Sequence, residues 1–178
     1  LQGDVGCGKT IVAFFSILPV VAGGGQTVLM APTEILAEQH LMNAQKYLGG
    51  LVRIAALTGS TSKSQKEEIC SLLRHGSIDL VIGTHALIEP GVAFRELGLL
   101  IIDEQHRFGV DQRMALRSKG NNPHFLSLTA TPIPRTLAMT AYGDLDVSVI
   151  RELPKGRPAI VTKIIRKAHD REQMYHFI

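Results

Sequence analysis

A mostly parallel α/β sheet with helices on both faces is predicted for this sequence by three observations. Short β-rich apolar runs alternate with longer amphipathic segments, the order expected when a helix returns the chain from each strand to a parallel neighbour. Most of the runs are apolar without interruption, as strands are when both faces are covered. A glycine-rich turn at the start leads straight into an apolar helical segment, a joint that belongs to such sheets.

The elements follow in order. A helix is predicted over 9–21, ended by Gly23-Gly24-Gly25, where backbone entropy makes continuation costly. A strand over 27–31 comes next, then Pro32 and Thr33, which supply the first turn and cap of a helix over 34–47 that Gly49-Gly50 stops. After a strand over 52–57, Ser62 with Gln65 forms a capping box for a helix to Arg74, with Gly76 just beyond. Further strands are predicted over 80–83, 99–103 and 125–129. Leu153-Pro154-Lys155-Gly156-Arg157-Pro158 then halts both kinds of regular structure. The chain therefore divides into a domain over 1–153, a linker over 154–158, and the opening of a second domain over 159–178, with a strand from Ala159 to Ile165 and a helix start near His169. The strand that feeds the first turn is expected before Leu1, so the sequence reads as a fragment of a longer parent protein.

Composition narrows the classes. With 45% hydrophobic and 20% charged residues in 178, the chain can bury a core and is not disordered. Nineteen Lys and Arg against sixteen Asp and Glu leave +3, which permits an anionic partner without requiring one. Cys7 and Cys70 make neither a disulfide framework nor a zinc site, and point to a reducing cytosol. The apolar stretch 11–22 contains Ser16 and Pro19, falls short of a membrane span and lacks signal-peptide flanks, so a cytoplasmic protein with no membrane partner is expected.

Two motifs carry chemistry. Gly3-Asp4-Val5-Gly6-Cys7-Gly8-Lys9-Thr10 fits the phosphate-loop pattern: glycines let backbone N–H groups face phosphates, the following helix adds its dipole, Lys9 reaches the terminal phosphates and Thr10 offers a hydroxyl to Mg²⁺. Cys7 stands where Ser is often found, which matters little because the backbone N–H binds there. Leu99 to Glu104 places two carboxylates at the C-terminal end of a buried strand, where open α/β sheets hold their ligands. Asp103 can orient Mg²⁺, and Glu104 can position or deprotonate the attacking water. Singly, a chance glycine turn and a solvated acidic strand end would explain them; together they favour ATP hydrolysis. The absence of an Asn-Lys-x-Asp sequence disfavours GTP.

At these residues a family resemblance emerges. Asp103-Glu104-Gln105-His106 and Thr129-Ala130-Thr131 resemble motifs II and III of superfamily 2 helicases, and Ala31 to His40 resembles motif Ia. More narrowly, DEQHRFGV over 103–110, TATPIPRTL over 129–137 and YGDLDVSVI over 142–150 resemble the RecG family of bacterial ATP-dependent DNA helicases. Mfd-like transcription-repair coupling translocases share PIPRTL, but usually have Glu at the position of Gln105 and lack YGDLDVSVI.

The resemblance implies a RecA-like first motor domain that uses ATP and Mg²⁺. It assigns phosphate and metal binding to Lys9 and Thr10, the metal to Asp103, and the catalytic base to Glu104. Gln105 and His106 would couple the nucleotide to Thr129 and Thr131. DNA contact falls to Thr33, Gly59, Ser60, Thr84, His85 and Arg135, although Thr33, Ser60 and Thr84 serve equally well as helix or turn caps. It further implies a second motor domain and a wedge domain as partners, branched DNA as substrate, and no unwinding by this chain alone. An Mfd-like double-strand translocase and a non-catalytic nucleotide-dependent scaffold are the alternatives. Phe14, Phe15, Leu18, Leu36, Leu41, Ile69, Leu72 and Leu73 are read as helix core faces.

Overall fold

The computed structural model describes residues 1–104, 108–131, 146–152, 165, 171 and 174–175. In chain order these form β1 (Gln2–Gly3), α1 (Lys9–Ala22), β2 (Gln26–Met30), α2 (Glu34–Leu48), β3 (Ile54–Leu57), α3 (Lys63–Arg74) and β4 (Leu80–Gly83). A 3₁₀ turn (His85–Ile88), β5 (Leu97–Asp103), α4 (Val110–Arg117), β6 (His124–Leu128) and β7 (Val149–Ile150) follow. The predicted linker and the elements over 159–178 fall almost wholly outside the described residues.

The α/β prediction holds: β3-β4-β2-β5-β6 form one sheet, and all its pairings are parallel. In β2, Leu29 packs with Ala13, Phe14 and Ile17 of α1 and Ala37 and Ala44 of α2 on one face. Its neighbours Val28 and Met30 pack on the other face with Cys70 and Leu73 of α3, Leu87 of the 3₁₀ turn and Leu116 of α4. Successive strand side chains point to opposite faces, so an unbroken apolar run is what a sheet with two helical layers requires.

β1 pairs in parallel with β7, and Gln2 bridges to Thr129 just past β6. The Leu1 ammonium donates to Ser127 O (2.7 Å), and Thr129 N donates to Leu1 O (3.1 Å). The sequence places the feeding strand before Leu1; the structure shows Gln2–Gly3 already in strand pairing, seated between β6 and β7. Two residues are too few to show periodicity, which is why the pattern misses them.

The helix bounds agree closely with prediction, and the Ser62–Gln65 capping box is present in full. Thr33 is the cap of α2, accepting from Leu36 N at 3.3 Å, and Pro32 lies before the helix rather than in its first turn. Two core assignments are corrected. Phe14 is buried but Phe15 is 66% exposed, since adjacent helix positions lie about 100° apart; Leu72 is likewise exposed beside buried Leu73. No helix among the described residues is long and apolar enough to cross a membrane.

Gln26 is the buried polar residue that locks this frame. Its amide donates to Leu73 O (3.0 Å) and Ile78 O (2.7 Å), while its carbonyl accepts from Arg95 N (2.9 Å) and Glu96 N (3.1 Å). Gln26→Leu removes all four partners while filling the space, so chemical denaturation should show a loss of about 3 kcal/mol. A loss below about 1 kcal/mol would mean that these backbone groups find other partners.

Candidate active site

The phosphate loop joins β1 to α1. Gly6 (φ 82°) and Gly8 (φ 98°) adopt left-handed backbone that side-chain-bearing residues rarely take. At Gly3 a Cβ would come within 3.2 Å of Ile150 Cβ and Ile150 O and 2.5 Å of Cys7 Sγ, so a side chain there would force apart β7 and the loop. Lys9 Nζ donates to Gly3 O (2.8 Å) and Asp4 O (2.9 Å), tying the ammonium across the loop. Asp4 Oδ1 accepts from Val5 N at 2.7 Å, and Cys7 N donates to Asp4 O at 3.2 Å. Thr10 is the half-buried second residue of α1, whose first turn carries no acidic side chain. The positive end of the helix dipole and the Lys9 charge thus converge on one place, a donor set suited to phosphate oxygens.

Asp103 ends β5, paired with Leu128 of β6. Directly after it the chain turns: Glu104 has φ 49°, a left-handed conformation costing a non-glycine residue about 1–3 kcal/mol. Hydrogen bonds offset that cost. Glu104 N donates to Leu128 O (2.9 Å), and the side chain accepts from Ala130 N (3.2 Å, Oε1) and the Thr129 hydroxyl (3.4 Å, Oε2). Thr129 Oγ1 lies 2.9 Å from Thr131 Oγ1 and accepts from Thr131 N at 3.2 Å. Gly3 N donates to Thr129 O at 3.3 Å, which links this cluster to the base of the phosphate loop. Loop, acidic strand end and 129–131 segment therefore meet at the C-terminal ends of neighbouring strands. Gln105, His106 and Arg135 lie outside the described residues.

A residue to which the sequence reading gives no chemical role also belongs here. His40 Nε2 lies 2.9 Å from Asp103 Oδ2, and the residue is 6% exposed. The signal was present as a histidine on the Ala37, His40, Ala44, Leu48 stripe that α2 buries, but its partner is 63 residues away and no local pattern names it.

The other predicted positions gather on the same edge, farther along. Thr33 is exposed at the start of α2. Ser60 N donates to Glu34 Oε1 at 3.0 Å, and a Cβ on Gly59 would stand 3.0 Å from that oxygen and 3.9 Å from His85 Cε1. His85 is exposed, whereas Thr84 is 3% exposed with its hydroxyl buried, which gives that hydroxyl no route to a phosphate in this conformation. Glu34, absent from the sequence-based set, occupies the Ser60 N–H.

The DEAD/DEAH box helicase family matches residues 1–140. The chain belongs to that family. Membership in the DEAD/DEAH box helicases implies nucleotide use, in keeping with the loop geometry. The chain is 56% identical over 166 residues to the ATP-dependent DNA helicase RecG of Streptococcus pneumoniae, covering 93% of this chain and 25% of that protein. With RecG of Synechocystis the identity is 55% over 179 residues, covering 100% and 21%. A solved structure of RecG bound to a three-way DNA junction aligns with a TM-score of 0.81 at 46% identity, covering 99% of this chain and 24% of the other. This DEAD/DEAH box chain thus spans about a quarter of the length of the relatives it matches.

Proposed function

We propose that residues 1–153 form the first motor domain of a RecG-like ATP-dependent DNA helicase that remodels branched DNA, such as stalled forks and Holliday junctions, in bacterial cytoplasmic recombination and repair. In this reading 154–158 is a linker and 159–178 opens the second motor domain. The observation that carries it is the hydrogen-bonded cluster in which Glu104 holds Ala130 N and the Thr129 hydroxyl while Thr129 O holds Gly3 N. That cluster joins the catalytic carboxylate to both the phosphate loop and the motif III segment. The RecG likenesses supply the substrate class.

Lys9 and the loop N–H groups bind the terminal phosphates, and Glu104 takes the proton of the attacking water. Mg²⁺, when bound, neutralises charge that develops on the transferring phosphoryl group, with Thr10 and Asp103 as the protein groups that hold it. A change at Glu104 alters the bonds of Thr129 and, through its hydroxyl, of Thr131, and in this reading Gln105 and His106 take part in the same coupling toward Arg135. DNA phosphates lie along Thr33, Gly59, Ser60 and His85 together with Arg135; Thr84, with its hydroxyl buried, its N–H donating to Leu57 O and its carbonyl accepting from Leu87 N, opens the 3₁₀ turn that carries His85. The second motor domain and the wedge domain complete the machine.

DNA-stimulated ATPase activity and unwinding of a synthetic fork by the parent protein test this reading. Stimulation without fork unwinding would favour an Mfd-like translocase, and no ATP hydrolysis would favour a scaffold. In the same assay Arg135→Ala should weaken DNA stimulation with little change in nucleotide affinity, and should lower the slope of log affinity against log salt by about one. An unchanged slope would make Arg135 structural.

A further inference from the structure

We propose that His40 is a positioning residue for Asp103: its Nε2–H holds carboxylate oxygen Oδ2 so that Oδ1 is presented to the divalent cation of a bound nucleotide. The inference rests on the nucleotide-hydrolysing function proposed above and adds to it a residue of α2.

The hydrogen bond itself fixes the tautomer. An ionised carboxylate oxygen can only accept, so at 2.9 Å the proton lies on Nε2. The other ring nitrogen, Nδ1, is buried with no partner among the described residues. A leucine or methionine would fill the Ala37–Ala44 side of α2 without burying such a nitrogen, so packing alone does not account for an imidazole at this position. What the imidazole supplies is one directed donor to Asp103.

That donor matters because a carboxylate at a strand end can rotate about its terminal torsion, which has broad preferences. Asp103 is the last residue of β5 and its side chain is 16% exposed. With Oδ2 held by a buried ring on a different element, rotation is blocked and the remaining oxygen keeps one direction. Carboxylates that ligate metals depend on such outer hydrogen bonds, whose loss typically weakens metal affinity or activity about 10- to 100-fold.

The bond also has a mechanical consequence. His40 lies seven positions beyond Thr33 on one continuous helix, roughly 10 Å along its axis. The N-terminus of α2 carries Thr33 and Glu34, and Glu34 holds Ser60 N of the proposed DNA edge. One continuous helix thus links the proposed DNA edge to the residue that holds Asp103.

The test uses the full-length parent protein and a fluorescent ADP analogue, titrated with Mg²⁺ and, separately, in EDTA. His40→Met keeps volume without the donor, and His40→Gln restores an N–H. The expected result is that His40→Met needs about 10-fold more Mg²⁺ for half-maximal nucleotide binding, binds as the wild type does in EDTA, and is rescued to within about 3-fold by His40→Gln on the same scale. An unchanged Mg²⁺ requirement in His40→Met, an equal loss with and without Mg²⁺, or failure of His40→Gln to rescue would each overturn the proposal. Should His40→Met not fold, ¹⁵N spectra of the wild-type imidazole decide: its resonances should move when Mg²⁺ joins the ADP complex, and stationary resonances would overturn the role. Wild-type protein that binds no nucleotide in any condition overturns the proposed function as well; wild-type binding with insensitive variants overturns this inference alone.

Discussion

Lys9→Ala in the parent protein is expected to lower kcat/KM for DNA-stimulated ATP hydrolysis by about 100- to 1,000-fold, the scale seen when a preorganised charge or donor is removed from a developing anion. The geometry gives two reasons. The ammonium is the cationic side chain at the mouth of the loop, where α1 directs its N-terminal dipole. It also bridges Gly3 O and Asp4 O, so its removal frees the link between the end of β1 and the start of α1. Nucleotide affinity should fall together with turnover, because the same charge serves ground state and transition state. Steady-state ATPase assays beside a melting curve check this; a drop smaller than tenfold in a folded variant would remove Lys9 from the catalytic set.

Glu104→Gln should behave differently, with nucleotide binding retained and kcat reduced about 100- to 10,000-fold, the range supplied by a general base. The substitution is conservative where the structure needs it to be. The amide oxygen still accepts from Ala130 N, the Thr129 hydroxyl can reorient toward either amide atom, and the left-handed backbone at φ 49° is held by Glu104 N to Leu128 O, which involves no side chain. Only the capacity to take a proton is lost. Single-turnover measurements separate binding from chemistry, and turnover near that of the wild type would reassign the base to another residue.

The two variants probe residues that sequence alone picked out, and the reason is local. Phosphate loops, capping boxes and buried strands are written in contiguous residues, because each satisfies its backbone hydrogen bonds and its burial within a few positions. Strand β4 over Leu80–Gly83 and the Ser62–Gln65 cap of α3 appear where the pattern puts them. The acidic pair after an apolar run reads the same way, since strand ends face the ligand edge in any parallel sheet.

What the tertiary structure decided lies between distant segments. The order β3-β4-β2-β5-β6 is set by crossovers that no single run encodes. Seating of Gln2–Gly3 between β6 and β7 turns a two-residue strand into part of a sheet. The same packing buries Thr84, which sequence read as either a DNA contact or a cap and which stands at the head of the 3₁₀ turn, and gives Ser60 N to Glu34. It also brings His40 to Asp103 across 63 residues. Sequence by itself determined which groups can bind phosphate and move a proton, because those capacities belong to residue types at short spacing. Which side chain meets which was decided only by packing, because a hydrogen bond forms at about 3 Å and the chain reaches that separation by closing loops of dozens of residues.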